Sequence, residues 1–190
     1  MQNELINQLK TGNEDSYKSL VETYKDKVLN TCFHFLHDKP DAEDLAQEVF
    51  IEIYRSIDSY RGDAQLSTWI YRIAVNKSLD FLRKKKRKKR FAYVVSLFSD
   101  SDDEPELQLP APDNPQKDLE QKERIEILNQ ALSELPENQK VAITLSKYEG
   151  FSNKEVAEIM AISISAVESL VHRAKKNLQK KLSDYFEKNL

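Results

Sequence analysis

One stretch of the sequence, from Leu66 to Arg90, contains neither Gly nor Pro and repeats apolar residues at helical spacing. It predicts a single helix, with Ser67 placed to cap the first turn. The apolar residues spread over one broad side, made of Leu66, Ile70, Ile73, Ala74, Val75, Phe81 and Leu82. That side must be buried, so the rest of the chain has to supply a surface that covers it.

The polar edge of the same predicted helix carries Arg72, Asn76 and Arg83 on one narrow stripe, with Trp69 beside it. The helix then runs into eight consecutive basic residues, 83–90. This combination suits DNA, because cations hold phosphates, amides read base edges and aromatic rings stack on unpaired bases. An ordinary amphipathic helix with a solvated basic end explains the stretch equally well.

The overall composition favours helices, because charged residues make up 32% of the 190 residues and only three are Gly. A net charge of −3 would argue against binding to nucleic acid if the charge were evenly spread. It is not, since basic residues gather at 83–90 and 173–181 while 100–106 is acidic. Local fields rather than net charge steer DNA.

Cysteine content and hydropathy indicate the compartment. Cys32 is the single cysteine, which excludes an internal disulfide and makes core packing its expected role. The N-terminal residues are polar, and no apolar run approaches the length needed to cross a bilayer. We therefore expect a cytoplasmic protein without direct membrane insertion.

A second amphipathic helix is predicted over 41–57, before the loop that precedes Leu66. Its buried face is apolar, and its opposite face carries Asp44, Gln47, Glu48, Ile51 and Arg55. An apolar residue among charges on an exposed face is common in protein interfaces, although single exposed apolar residues are also normal. Together with the helix that precedes it and the helix that begins at Leu66, the 41–57 helix predicts a three- or four-helix domain over residues 1–90.

Residues 91–120 change character and predict a flexible acidic linker. An apolar patch at 91–98 is a candidate docking site, or it packs on its own domain. The following residues, 99–116, contain four Pro and a run of acids. Such a composition cannot bury enough apolar surface to fold alone.

The last part of the chain, 121–190, predicts a small helical domain with a helix-turn-helix. Ser152 and Glu155 have capping-box spacing at the start of a short helix. Ala157, Ile162 and Val167 then stand where the motif needs a small contact, a buried turn residue and a buried second-helix residue. The outward face of the second helix carries Ser165, Ser169, His172, Arg173 and Lys176. A generic helical hairpin could also produce this pattern.

Two segments resemble the two domains of bacterial sigma factors of the extracytoplasmic-function type, within the sigma-70 family. DAEDLAQEVFIEIYRSI and YRGDAQLSTWIYRIAVNKSLDFLRKKKR resemble the N-terminal domain of that family in order and spacing. LPENQKVAITLSKYEGFSNKEVAEIMAISISAVESLVHRAKKNL resembles its C-terminal domain. The resemblance covers most of 14–90 and 122–182.

The resemblance implies an all-α protein of two helical domains that brings core RNA polymerase to promoter DNA. Polymerase binding would fall on Asp44, Gln47, Glu48, Ile51 and Arg55. Recognition and opening of the −10 element would fall on Tyr60, Arg61, Asp63, Ser67, Trp69, Arg72, Asn76, Arg83 and Lys84. Reading of the −35 element would fall on Ser165, Glu168, Ser169, His172, Arg173 and Lys176. It implies no cofactor, metal or small-molecule substrate, and an anti-sigma protein as a further partner.

Three positions depart from the family pattern. Ala161 stands in the turn where the family usually has Gly, which costs strain if the backbone there needs a positive φ. Glu168 and Leu170 stand where basic residues are frequent. Glu168 would repel phosphate, and it would either accept from a cytosine amine or lie at the rim. These changes leave any promoter sequence inferred by analogy in doubt.

Two other classes of protein compete with this interpretation. A metalloenzyme would use the acidic residues at the start of the 41–57 helix together with His34 and His37, but Asp44 and Glu48 point away from the core. A stand-alone helix-turn-helix regulator would leave the exposed face around Ile51 without a function. The two DNA-binding alternatives differ in whether the purified chain binds specific DNA without polymerase.

Overall fold

The computed structural model describes residues 2–96 and 117–189, and these residues are folded entirely as helices and short connections, which confirms the predicted all-α class. The helices are α1 Gln2–Lys10, α2 Glu14–Leu36, α3 Lys39–Ser56, α4 Leu66–Ser96, α5 Lys117–Ser133, α6 Glu137–Ile143, α7 Asn153–Met160 and α8 Ile164–Asn189. A 3-10 turn, Ile57–Ser59, follows α3, and a π-helical turn, Thr144–Tyr148, follows α6. None of the helices in the described ranges is both long and apolar enough to cross a membrane.

Helices α1 to α4 form the N-terminal unit, in which α2, α3 and α4 pack around one core. The side chains of this core that are at most 1% exposed are Leu20, Val28, Cys32, Ala42, Val49, Ile53, Leu66, Ile70 and Ala74. Local caps fix where the helices begin. The side chain of Asn13 accepts from the backbone N–H of Ser16 at the start of α2, and Asp38 accepts from Asp41 at the start of α3.

Helix α4 begins two residues earlier than a cap at Ser67 would require, since such a cap would make Thr68 the first helical residue. Its first residue is Leu66, and the backbone N–H of Trp69 already bonds to the carbonyl of Gln65. Ser67 therefore lies inside the first turn, and the prediction that it caps the helix is wrong. Leu66 is 1% exposed, so the apolar side of α4 is buried from its first residue.

Helices α5 to α8 form the C-terminal unit, whose centre is the predicted helix-turn-helix, α7 and α8. The capping box is present, because Ser152 accepts from the backbone N–H of Glu155 while the Glu155 carboxylate accepts from Ser152. Ala157 and Val167 are buried as predicted, but Ile162 is exposed. Backbone hydrogen bonds from Ala161 and Ile162 back to α7 hold the turn, so it does not need a buried side chain at Ile162.

The two units pack against each other. Tyr71 and Val75 of α4 and Phe35 of α2 share one apolar cluster with residues of the C-terminal unit, namely Val141, Leu145, Val156, Ala157, Ile159 and Val167. Helix α4 also continues to Ser96, beyond the predicted boundary at residue 90, and α5 begins at Lys117. The division of the chain into domains at residues 90 and 121 stays a prediction. The central part of the linker, 97–116, and the side chains of the apolar patch at 91–98 lie outside the described residues.

Ala161, between α7 and α8, adopts the left-handed conformation with φ of 55°. A Cβ costs roughly 1 kcal/mol or more in this region, whereas Gly adopts it freely. We expect Ala161→Gly to raise the midpoint of thermal unfolding by a few degrees, measured by circular dichroism. Ala166→Gly, in the first turns of α8, is the matched control and should lower it. An unchanged or lower midpoint for Ala161→Gly would contradict strain at this turn.

Candidate nucleic-acid interface

The outward face of α3 is exposed as predicted. Its side chains Asp44, Gln47, Glu48, Ile51 and Arg55 all face solvent. Ile51 is 49% exposed, although it is a large apolar residue. The sequence prediction missed Tyr54, which lies one turn after Ile51, is 55% exposed and meets the ring of Tyr17 edge-on at 5.2 Å. The i to i+3 spacing from Ile51 could have identified it. Together Ile51 and Tyr54 form an apolar patch ringed by charge.

The loop between α3 and α4 forms a shallow pocket at the surface. Its lining residues are Ile6, Tyr60, Gly62, Asp63, Ala64, Gln65 and, from α7, Glu158. Arg61 and Asp63 are exposed, as expected for residues that would touch DNA. Tyr60 is not, because it is 6% exposed, donates its hydroxyl to the Ala64 carbonyl at 2.5 Å and packs 5.4 Å from the ring of Trp69. Tyr60 thus lies beneath the loop, and its role in binding DNA stays a prediction.

The polar stripe of α4 is divided in the folded protein. Asn76 is exposed, whereas Arg72 is held by the C-terminal unit. Arg72 donates from Nη2 to the Glu158 carbonyl at 2.6 Å and from Nε to the Ile159 carbonyl at 3.2 Å. Arg83 is exposed and pairs with the carboxylates of Asp80 and Glu137. Of the three polar residues on this stripe, Arg72 and Arg83 are bonded within the protein, and Asn76 is the exposed amide between them.

A groove separates α3 from α4 beside Asn76. Its lining combines apolar, acidic and basic side chains, namely Asp41, Leu45, Glu48, Glu52, Ile73, Asn76, Lys77, Asp80, Phe81, Lys84, Lys85, Arg87 and Lys88. Two ion pairs cross it, Lys77 with Glu52 at 3.2 Å and Lys85 with Asp41 at 2.7 Å. The first basic residues of the 83–90 run therefore lie next to the outward face of α3. The carboxylates along the groove moderate their positive field.

The outward face of α8 is a separate surface. Ser165, Glu168, Ser169, His172, Arg173 and Lys176 are all exposed, as predicted. The start of the helix is fixed by Ser163, whose hydroxyl accepts from the backbone N–H of Ala166 at 3.2 Å. Leu170 is only half-buried, so it lies at the edge of the buried stripe. Exposed polar side chains on the second helix of a helix-turn-helix are positioned to enter a major groove.

The sequence matches two family descriptions that together span most of the described chain. Residues 20–88 match Sigma-70 region 2, and residues 125–178 match Sigma-70, region 4. The RNA polymerase sigma-H factor of Pseudomonas aeruginosa is 32% identical over 186 residues, covering 94% of this chain and 92% of the relative. The ECF RNA polymerase sigma factor SigW of Bacillus subtilis is 32% identical over 181 residues, covering 94% and 95%. This chain belongs to the sigma-70 family, among the ECF sigma factors.

Two solved structures have the same fold as this chain. CnrH, in complex with the cytosolic domain of CnrY, superposes with a TM-score of 0.66 at 20% identity, covering 96% of this chain and 97% of CnrH. RpoE of Bartonella quintana, in complex with the anti-sigma factor NepR, has a TM-score of 0.60 at 23% identity, covering 88% and 96%. At these identities the structures establish the fold. The protein is a promoter-directing sigma factor, in a family of transcription initiation factors rather than enzymes.

The interface between the two units of this sigma factor contains buried ionisable groups that the sequence did not reveal. Lys140 is 6% exposed, and its Nζ donates to the Phe35 carbonyl at 3.1 Å. Burial, with a smaller effect of Lys86, lowers the pKa of Lys140 to about 8. Nδ1 of His34 lies 2.7 Å from a carboxylate oxygen of Glu149, which directly follows the π-helical turn after α6. The ion-pair partner of His34 is therefore not one of the acidic residues of α3. Within residues 2–96 and 117–189, no three His, Cys, Asp or Glu side chains converge as a metal site requires.

His37 ends α2 in the left-handed conformation and is partly buried at the same interface. Burial, then the charges of Lys140 and His34, lowers the pKa of His37 to about 4. The unfolded chain, with an ordinary His pKa, binds this proton more tightly. The contribution of His37 to stability is therefore complete above about pH 6.5 and is lost as the pH falls towards 4.

We expect His37→Asn to reduce the acid destabilisation of the protein between pH 6.5 and 4.5, because Asn does not titrate and tolerates a positive φ. The measurement is the free energy of unfolding in urea at several pH values. His172→Asn, at an exposed position of α8, is the control and should follow the unsubstituted protein. If His37→Asn has the same pH slope as the unsubstituted protein, His37 does not titrate with a lowered pKa.

Proposed function

We propose that three surfaces of this sigma factor divide its work: the outward face of α3 binds core RNA polymerase, the loop and helix at 60–84 open the −10 element, and α8 reads the −35 element. The observation that supports the proposal is that α3 and α8 each carry an exposed polar face, while the opposite side of each helix is packed in a different buried cluster. Each face lies on a helix whose opposite side is fixed by packing. Because RNA polymerase acts in the bacterial cytoplasm, we also propose that location.

The polymerase surface is centred on Ile51 and extends to Tyr54. Interfaces derive most of their binding energy from a few well-packed residues, and aromatic side chains are frequent among them. Asp44, Gln47, Glu48 and Arg55 would form the polar rim. A rim of charges excludes wrong partners and guides the approach of the right one.

The −10 surface combines a loop pocket with cations and an amide. A base that leaves the duplex can be held by stacking and by hydrogen bonds to its edge. Arg61, Asp63 and Asn76 are the groups that are free to meet it, and Tyr60 supports the loop beneath Trp69. Arg72, Arg83 and Lys84 would hold the backbone, and Ser67 would lie at the margin of this surface.

The −35 surface is the exposed face of α8, which has the width to enter the major groove of duplex DNA. Arg173 and Lys176 would contact phosphate. Ser165, Glu168, Ser169 and His172 would reach towards base edges. Phosphate contacts set affinity and register, whereas base-edge contacts set the preferred sequence.

An anti-sigma protein is a further partner that we propose from the family resemblance. RpoE of Bartonella quintana is recorded with the anti-sigma factor NepR. The stand-alone regulator remains the second candidate function. A stand-alone regulator would bind specific duplex DNA as a purified chain without polymerase. This hypothesis leaves the exposed patch of Ile51 and Tyr54 without a binding partner.

Replacement Ile51→Glu should weaken binding to core RNA polymerase by about thirtyfold or more, since removal of an interface hot spot costs about 2 kcal/mol or more. The measurement is affinity for core enzyme by fluorescence titration, with circular dichroism to verify folding. Ile125→Glu is a matched control, because Ile125 is also 49% exposed but lies on α5. Equal affinity of the Ile51 and Ile125 variants would remove α3 from the polymerase surface.

Replacement Asn76→Ala should leave polymerase binding and the closed complex nearly unchanged and reduce formation of the open complex. Loss of a bidentate base contact costs about 1–3 kcal/mol, so we expect about a tenfold effect. Permanganate reactivity of exposed thymines reports opening. A template already mismatched across the −10 element is the comparison, and the defect should shrink on it. Unchanged opening on both templates would exclude Asn76 from the site.

A further inference from the structure

The start of α8 exposes isoleucine to solvent. Residues 161–165, which connect α7 to α8 and begin α8, are all exposed. Ile164 is the first residue of α8 and is 47% exposed, and Ile162 in the turn is 36% exposed. We propose that Ile164 is a specificity-determining residue that contacts the 5-methyl group of a thymine in the −35 element. Glu168, one turn further along, then selects a cytosine near that thymine. This inference rests on the proposed role of α8 in reading the −35 element.

Helical spacing places Ile164 at the edge of the face that would meet DNA. Val167 and Ala174 mark the buried side of α8, and both are 0% exposed. Ile164, Glu168 and His172 follow one another at intervals of four residues, so they form one row along the helix. Glu168 and His172 are exposed. The row therefore borders the outward polar face, and it begins with an apolar side chain.

Hydrogen bonds fix the backbone that carries Ile164. The hydroxyl of Ser163 accepts from the backbone N–H of Ala166 at 3.2 Å, and the backbone N–H of Val167 donates to the Ser163 carbonyl at 3.1 Å. The hydroxyl of Ser165 lies 3.1 Å from that of Ser163, so these two side chains are bonded to each other. Ile164 stands between them with its side chain exposed. It is therefore held in place, and it is free to meet a base.

An exposed isoleucine in a major groove favours thymine over the other bases. The first residues of the second helix in a helix-turn-helix contact base edges. Thymine alone presents a methyl group in the major groove, and apolar side chains contact it there. Isoleucine has no hydrogen-bonding group in its side chain. It can gain free energy in the groove only by removing apolar surface from water.

Glu168 supplies the second contact, because a carboxylate accepts hydrogen bonds and does not donate them. In the major groove the amine of cytosine suits a carboxylate, whereas the amine of adenine lies beside the acceptor N7, which repels it. The exposed cations Arg173 and Lys176 on the same helix offset the repulsion between Glu168 and phosphate. Four residues of helix span about 6 Å and base pairs are about 3.4 Å apart, so the two bases lie about one or two pairs apart.

The test begins with a promoter library that is randomised across the −35 element and selected with the holoenzyme. We expect enrichment of a thymine with a cytosine at the predicted spacing from it. Each enriched thymine is then replaced singly by deoxyuridine, which lacks only the 5-methyl group. At one of these positions the affinity of the holoenzyme for a labelled promoter fragment should fall by about fourfold, as expected when burial of one methyl group is lost.

Variants of the protein assign the methyl contact to a residue. In Ile164→Ser the loss of affinity caused by deoxyuridine should disappear, whereas Ile164→Val should retain most of it. Ile162→Ser is the matched control, because Ile162 is also exposed but lies in the turn, and it should retain the full loss. Circular dichroism verifies folding, and Ile164→Gln replaces Ile164→Ser if the latter is unfolded. An unchanged deoxyuridine effect in the Ile164 variant, or its disappearance in Ile162→Ser, overturns the assignment.

The contact of Glu168 is tested by selecting the library again with Glu168→Gln. Glutamine suits adenine, so the preference at the cytosine position should change from cytosine to adenine. An unchanged preference overturns the contact of Glu168 with cytosine.

Two further outcomes separate this inference from the proposed function. Enrichment of −35 bases without a thymine whose methyl group matters overturns the role of Ile164 and leaves the role of α8 intact. No enrichment across the −35 element, while polymerase binding and opening of the −10 element persist, overturns the role of α8 itself. Weaker binding of Ile164→Ser to core polymerase, with an unchanged deoxyuridine effect, would assign Ile164 to a protein contact and overturn the inference.

Discussion

Burial of α4 against two cores at once is the interaction on which the other features of this sigma factor depend. Ile70 and Ala74 face the core of the N-terminal unit, whereas their neighbours Tyr71 and Val75 face the cluster shared with the C-terminal unit. Successive helical residues are about 100° apart, so one helix presents two buried stripes side by side. The polar residues Arg72 and Asn76 are thereby confined to the remaining edge. The exposed polar edge of α4 and the packing of the two units both follow from the way α4 is oriented between the two cores.

Much of the fold follows from local patterns in the sequence. The helices at 41–57 and after Leu66 were predictable from apolar spacing, and the capping box at Ser152 from two residues three positions apart. The exposure of the outer faces of α3 and α8 was predictable for the same reason, since the opposite faces had to be buried. The assignment of each exposed face to a partner is not contained in these patterns, and it stays a prediction that rests on the family resemblance.

The contacts that the sequence did not reveal join residues far apart in the chain. Arg72 and Glu158 are 86 residues apart, and Lys140 and Phe35 are 105 apart. No local periodicity distinguishes an arginine on a solvated stripe from one that bonds to the end of another helix, or a surface lysine from a buried one. Two residues in the connections between helices show the same limit: Tyr60 is buried, and Ile162 is exposed although a buried position was expected for it. Loop side chains follow the backbone hydrogen bonds of their turns, which apolar spacing does not encode.

The Arg72 contact has a genetic consequence, because its acceptors are main-chain carbonyls. Any amino acid at positions 158 and 159 supplies the same oxygens, so no point substitution there deletes them. A screen for substitutions that loosen the packing of the two units would therefore recover changes at the apolar and carboxylate side chains around this contact, or at Arg72 itself, but not at the acceptors.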